Sequence, residues 1–251
     1  MRSEKITFEG AYGDQLAARV DQPDGEARSY ALFAHCFTCS KNLKIVKNLS
    51  KTLTKHNIGI FRFDFTGLGE SEGNFADTNF SSNIEDLIAA SEYMESYLLE
   101  PAILIGHSLG GAAMIQAASR IASSKAVATI AAPSSPTSIK NKFGAKLDTI
   151  KTEGKATVTL AGRDFTIKKQ FLDDLEENNM DEKIKKLSLP LMIFHSPADN
   201  IVDIDNAAHI YKMARHPKSF VSLDNADHLL NKEEDGIFVA EVIAAWADRY
   251  F

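Results

Sequence analysis

Gly106-His107-Ser108-Leu109-Gly110 sets a serine midway between two glycines, and its flanks say what that serine could do. Ala102 to Ile105 is a short apolar run of the kind that forms a buried strand. Ala112, Ala113, Met114, Ile115, Ala117 and Ala118 then read as an apolar helix. A serine at the tight turn between such a strand and helix is the pattern of a nucleophile elbow. The backbone there is strained and its neighbours are close, so a side chain at either flanking position would clash. The turn lifts the hydroxyl over the strand ends, and the first N–H groups of the helix face a developing negative charge.

Serine is a poor nucleophile until a base takes its proton, and the base needs a third group to orient it and offset its charge. Leu191 to His195 reads as a core strand with Asp199 in the loop beyond it, and Ser219 to Leu223 reads as the last strand, followed by His228. Three residues of the right types therefore fall at three strand ends in the order Ser108, Asp199, His228. Asp203 and Asp227 are rival acids, but Asp203 falls at a helix start, where capping is its natural role, and Asp227 directly precedes His228. His35, His107 and His195 also end strands, but none lies after the last one. Acyl transfer further requires two N–H donors where the carbonyl oxygen becomes charged. Leu109 supplies one, and the loop after the strand ending at Ala34 should supply the other, with Phe37 the candidate.

Strands and helices must alternate to place these groups. Lys5–Phe8 and Leu16–Val20 read as a hairpin, followed by a strand at 30–34, a helix from about Leu43 to His56, and a strand at 58–63. A helix from about Ser82 to Leu98 comes before the elbow, and a strand at 126–131 after it. A helix from about Asp203 to Ala214 and a final amphipathic helix from Ile237 to Tyr250 complete the pattern. Such alternation predicts an α/β fold, a mostly parallel central sheet with helices on both faces. Ligands bind beyond the carboxyl ends of such strands, where the loops at 35–42, 64–80, 106–111 and 131–136 converge. From about 134 to 189 the rhythm breaks, with a helical stretch over 136–150, a small hairpin over 156–167 and a helical pattern over 168–177. An insertion at that edge is where a small cap would sit, and Phe143, Phe165 and Phe171 are candidates to line a substrate pocket from above, although such residues often only hold a cap together.

The 251 residues are enough for one large domain, 1–251, and too few for two comfortable ones. A formal net charge of −6 argues against nucleic-acid binding. No apolar run approaches a membrane span and no signal-peptide core follows Met1, so a cytoplasmic globular protein is expected. Cys36 and Cys39, the only two cysteines, form a C-x-x-C. A zinc site would want a second pair, so loop packing is the first reading and redox or metal chemistry the alternative.

Taken together, Gly106-His107-Ser108-Leu109-Gly110-Gly111, His35-Cys36-Phe37, Asp64-x-x-Gly67-x-Gly69-x-Ser71, the Asp199 loop and Asp227-His228 resemble the α/β-hydrolases over nearly the whole chain. The family reads His-Gly-X at the oxyanion loop, with X donating its N–H, which places Phe37 in that role; here Cys36 replaces the glycine. The string from His35 to Lys41 is similar to the hydrolase half of bacterial proteins carrying an OsmC-like domain C-terminal to it, and such a domain is a possible partner in a longer protein. The resemblance implies a serine hydrolase acting on a small-molecule acyl substrate, with no metal or organic cofactor. A carboxylic ester or thioester is the leading substrate. A prolyl-oligopeptidase-like peptidase, or a non-catalytic module supporting a partner domain, remains the alternative. Dehalogenase and epoxide hydrolase relatives carry Asp at the nucleophile position, which here is Ser108.

Overall fold

The computed structural model describes residues 1–97 and 100–251. Its centre is an eight-stranded sheet in the order β1-β2-β4-β3-β5-β6-β9-β10. These strands are β1 (Arg2–Glu9), β2 (Gln15–Gln22), β3 (Ser29–Ala34), β4 (Ile58–Phe63), β5 (Pro101–His107), β6 (Ala126–Ile130), β9 (Leu191–His195) and β10 (Lys218–Ser222). The first hairpin and the β2–β4 pairing are antiparallel, and every pairing from β4 to β10 is parallel. The helices are α1 (Lys44–Lys55), α2 (Phe80–Tyr97), α3 (Leu109–Ala117), α4 (Lys146–Glu153), α5 (Lys169–Glu177), α6 (Met180–Lys186), α7 (Asp205–Met213) and α8 (Glu233–Ala247). A separate hairpin pairs β7 (Lys155–Leu160) with β8 (Arg163–Lys168). No helix of the described residues is long and apolar enough to cross a membrane.

Strand periodicity divides the core in two, because successive side chains point to opposite faces. Phe33, Ile103, Ile105, Ala128, Ile130 and Phe194 face α1 and α8, which answer with Ile45, Leu49, Leu53, Val239 and Ile243. Leu32, Leu104, Val127, Leu191 and Ile193 face the other way, toward α2, α3 and the segment after β6. Buried on both faces, these strands are near-continuous apolar runs. Helix α3 carries no charge and is buried all round, as its central position requires.

The segment between β6 and β9 departs from its expected form. The helical stretch over 136–150 divides into a 3-10 turn, Pro136–Phe143, and α4, because Gly144 takes a left-handed φ of 51° between them. Helix α6 was not expected; it follows α5 after only two residues, Asn178 and Asn179, and is too short to show a periodicity of its own. The final helix begins at Glu233 rather than Ile237, with Glu233, Glu234 and Asp235 in its first turn, where acidic side chains suit the helix dipole. The expected end of the second helix, Leu98, lies outside the described residues.

Candidate active site

The elbow is built as its glycines require. Ser108 has φ 54° and ψ −127°, a strained conformation between β5 and α3. A Cβ on Gly110 would stand 2.5 Å from the carbonyl oxygens of both Ala34 and His35, so glycine there lets the loop after β3 lie directly on the elbow. Neighbouring strands set the register, with Ala34 beside Gly106 and Gly106 beside Thr129.

Ser108, Asp199 and His228 come together at the carboxyl ends of β5, β9 and β10. His228 Nε2 lies 3.0 Å from Ser108 Oγ, and His228 Nδ1 lies 2.8 Å from Asp199 Oδ2. An ionised Asp199 can only accept, so Nδ1 carries the proton and Nε2 is free to accept from the serine hydroxyl. The other oxygen of Asp199 accepts the N–H of Ile201 at 2.8 Å and of Val202 at 2.9 Å. Burial pushes the Asp199 pKa up, but hydrogen bonds from His228, Val202 and Ile201 outweigh it and hold the carboxyl below its ordinary value.

The rival acids are committed elsewhere. Asp203 accepts the N–H of Asp205 at 2.8 Å, at the start of α7. Asp227 accepts the N–H groups of Leu229 at 3.0 Å and Asn231 at 3.1 Å.

Two buried histidines set aside in the sequence hold the loops in place. His107 donates Nε2–H to the carbonyl of His228 at 2.7 Å, tying the last loop to β5. Burial, reinforced by the neighbouring His228, drives the His107 pKa down to about 3, so the ring is neutral. His195 donates Nε2–H to the Val202 carbonyl at 2.8 Å and closes the Asp199 loop. Their signal was position alone: each is the last residue of a core strand.

The loop after β3 brings Phe37 to the elbow, where His35, Cys36, Phe37, Leu109 and Gly110 line one small void. Among the described residues neither the Phe37 nor the Leu109 amide has a hydrogen-bond partner. Cys36 does not adopt the left-handed backbone for which glycine would be needed; that conformation falls on Thr38, with φ 59°. Cys36 and Cys39 are joined in a disulfide. This corrects the reading of the pair as simple loop packing; a bridged pair is not a metal site, and of the alternative only redox chemistry stays open. Behind the loop, buried Lys41 pairs with buried Asp64 at 2.5 Å, and Asp64 also accepts the N–H of Lys41 at 2.6 Å and of Glu70 at 2.9 Å.

Beside Ser108 opens a pocket of about 250 Å³, lined among others by Leu109, Ile139, Asn141, Lys142, Val202 and Asn206. Partial burial lowers the Lys142 pKa, against an opposing pull from Asp199. Phe143, Phe165 and Phe171 do not line it. They pack instead into an aromatic cluster with Phe37 and Phe75, in which Phe37 lies 5.5 Å from Phe171 and Phe75 lies 4.9 Å from Phe165. The pocket residues on the 3-10 turn were missed because that stretch reads as part of one helix over 136–150, whereas the chain turns as a 3-10 helix up to Phe143 and presents different side chains.

Comparison with known proteins agrees with this architecture. The esterase domain of a Rhodothermus marinus protein is 50% identical, covers 100% of this chain and 99% of its own, and superposes with a TM-score of 0.82. Est1E from Butyrivibrio proteoclasticus, solved with ferulic acid, shares 19% identity over 98% of this chain and 99% of its own, with a TM-score of 0.84. The mitochondrial palmitoyl-protein thioesterase ABHD10 of Mus musculus is 27% identical over 183 residues, 69% of this chain and 60% of its own length. A family model described as "Serine aminopeptidase, S33" matches residues 25–174. With that match and the α/β-hydrolase fold around it, the chain belongs to this hydrolase family.

Proposed function

We propose that the chain is a serine hydrolase that cleaves small carboxylic esters or thioesters through an acyl-enzyme. The observation that carries this reading is the unbroken relay from Ser108 Oγ to His228 Nε2 at 3.0 Å and from His228 Nδ1 to Asp199 Oδ2 at 2.8 Å. Ser108 attacks the carbonyl carbon while its proton passes to His228, and Asp199 offsets the imidazolium charge. The carbonyl oxygen becomes an oxyanion between the Phe37 and Leu109 N–H groups. His228 then protonates the leaving alkoxide or thiolate. Water, deprotonated by the same ring, releases the acid.

The pocket supports a short substrate, since about 250 Å³ is smaller than the roughly 300–1,000 Å³ typical of drug-sized ligand sites. Ester cleavage is favoured by the relative described as an esterase domain, and thioester cleavage by the thioesterase relative. We read the segment of about 134–189 as a cap: Arg163 on its hairpin donates to the Thr38 carbonyl, and Lys168 pairs with Asp77. Peptidase activity is the second reading, favoured by the name of the matched family.

A fluorophosphonate probe read by intact mass tests the proposal. One adduct on the wild type and none on Ser108→Ala is expected, with the variant losing p-nitrophenyl acetate and acyl-thioester hydrolysis at unchanged thermal stability. Labelling with turnover of aminoacyl arylamides alone would shift the reading to a peptidase. No adduct would leave a binding module.

A further inference from the structure

The oxyanion loop contains a covalent device that the hydrolytic chemistry does not itself use. Phe37, whose N–H is proposed to hold the oxyanion, lies between Cys36 and Cys39, and their disulfide closes a four-residue turn. The turn is completed by the Cys39 N–H donating to the Cys36 carbonyl at 3.1 Å. That same carbonyl accepts Nδ1–H of buried His35 at 2.8 Å. Inside the turn Thr38 is held at φ 59°, a left-handed conformation that a β-branched residue rarely adopts. A turn with an unfavourable residue at its centre needs restraint from its ends, and the disulfide spans those ends with its Cα atoms 5.3 Å apart. The Phe37 amide has no partner of its own among the described residues, so its direction is set by the turn that carries it, together with the packing of the Phe37 ring against Phe75 and Phe171. Cys36 is buried whereas Cys39 is partly exposed, which leaves one end of the bridge open to a thiol.

We propose that the Cys36–Cys39 disulfide positions the Phe37 N–H for catalysis, and that thiol–disulfide exchange at this bridge sets the rate of the hydrolase. This rests on the serine-hydrolase reading. In the exchange, a thiolate of a dithiol reductant attacks Cys39 Sγ and forms a mixed disulfide, and Cys36 leaves as a thiolate and takes up a proton. The second thiol of the reductant then displaces Cys39, so two electrons and two protons pass to the protein while the dithiol becomes a disulfide. Thr38 can then leave its left-handed conformation, and Phe37 moves with it. A disulfide oxidant reverses the exchange. The consequence falls on the transition state, because the oxyanion exists only there: kcat drops and KM changes little.

The test uses the full chain with p-nitrophenyl acetate. Kinetics are measured on oxidised protein, on protein reduced with dithiothreitol, and on the Cys36→Ser, Cys39→Ser double variant. Free thiols are counted by maleimide mass shift on acid-quenched samples. Complete loss of an oxyanion donor costs roughly 10²- to 10³-fold in kcat, so a loosened one is expected to cost about tenfold or more. Reduced wild type should lose that much kcat with KM within about twofold, and re-oxidation should restore it. The double variant should show the low kcat with and without reductant. The proposal is overturned if reduced protein with two counted thiols keeps the oxidised kcat, if no oxidant can close the bridge, or if activity is lost only together with the near-ultraviolet circular dichroism of the folded chain. Oxidised protein that neither turns over nor takes a fluorophosphonate adduct would instead remove the hydrolase reading, and the switch with it.

Discussion

Asp199 divides its two oxygens between backbone and histidine: one takes the amides of Ile201 and Val202, the other faces His228. An asparagine could still accept the two amides, but its NH₂ would then meet His228 Nδ1. The ring would have to present a bare Nδ1 and carry its proton on Nε2, where it can no longer accept from Ser108. Asp199→Asn should therefore lower kcat by on the order of 10⁴-fold with the fold intact, as measured by ester hydrolysis and circular dichroism. A variant within tenfold of wild type would remove Asp199 from the relay. All three acids near the last two strands sit in turns that bond their own backbone, so turn chemistry alone could not separate them. Chain order and strand-end placement could, because these follow from the parallel sheet. The histidine tethers were less legible: nothing in the local sequence tells that His107 and His195 bond carbonyls of loops far along the chain or just beyond the strand.

The loop elements depend on a buried ion pair. Lys41 and Asp64 are 1% and 0% exposed, and Asp64 joins the end of the loop after β3 to the glycine-rich loop after β4. The second loop fits because Gly69, at φ 58°, passes against the Asp64 carboxylate where a Cβ would collide. Asp64→Asn leaves the lysine ammonium buried with, among the described residues, only the exposed Glu70 as a charged partner, at 2.7 Å. Breaking a buried pair in this way costs about 3–5 kcal/mol, and the tie through Glu70 places the expected loss near the lower end, about 3 kcal/mol, by urea unfolding. An unchanged unfolding midpoint would mean that the pair carries no structural role. The motif Asp64-x-x-Gly67-x-Gly69-x-Ser71 was legible as a loop, but its partner Lys41 was not, because pairing across 23 residues depends on how two loops stack. The disulfide was hidden for a related reason. C-x-x-C spacing is compatible with a plain turn, a redox pair or a metal, and the turn taken as the first reading says nothing of a bridge, which only the fold of the loop reveals. The three phenylalanines of the segment between β6 and β9 illustrate the limit for apolar residues: composition places them inside, but whether inside means a pocket or a packed cluster depends on neighbours such as Phe37 and Phe75.

At the scale of the whole molecule, a sheet buried on both faces puts polar groups at its strand ends under solid cover, and this links stability to pH. His107 is fully buried and its pKa is about 3 against an ordinary 6.5; burial also lowers that of His35. Below pH 6.5 the unfolded chain takes up protons that the folded chain refuses. The contribution of these neutral rings is therefore whole above pH 6.5 and is lost as pH falls below it, for His107 on down toward about 3. The slope is about 1.4 kcal/mol per pH unit for each fully excluded proton. Asp199 acts in the same direction but lower, because its depressed pKa contributes stability that is lost only as pH falls below the ordinary value of 3.8. Between pH 5 and 6 the histidines thus dominate over Asp199. His107→Gln keeps an N–H donor for the His228 carbonyl and removes the titration. Its unfolding free energy, measured in urea at pH 7.5 and 5.5, should fall less on acidification than that of the wild type, by close to one proton's worth of slope. Equal losses in the two proteins would mean that His107 takes up its proton in the folded state, which its place between β5 and the His228 loop does not allow without opening the strand ends that carry the site.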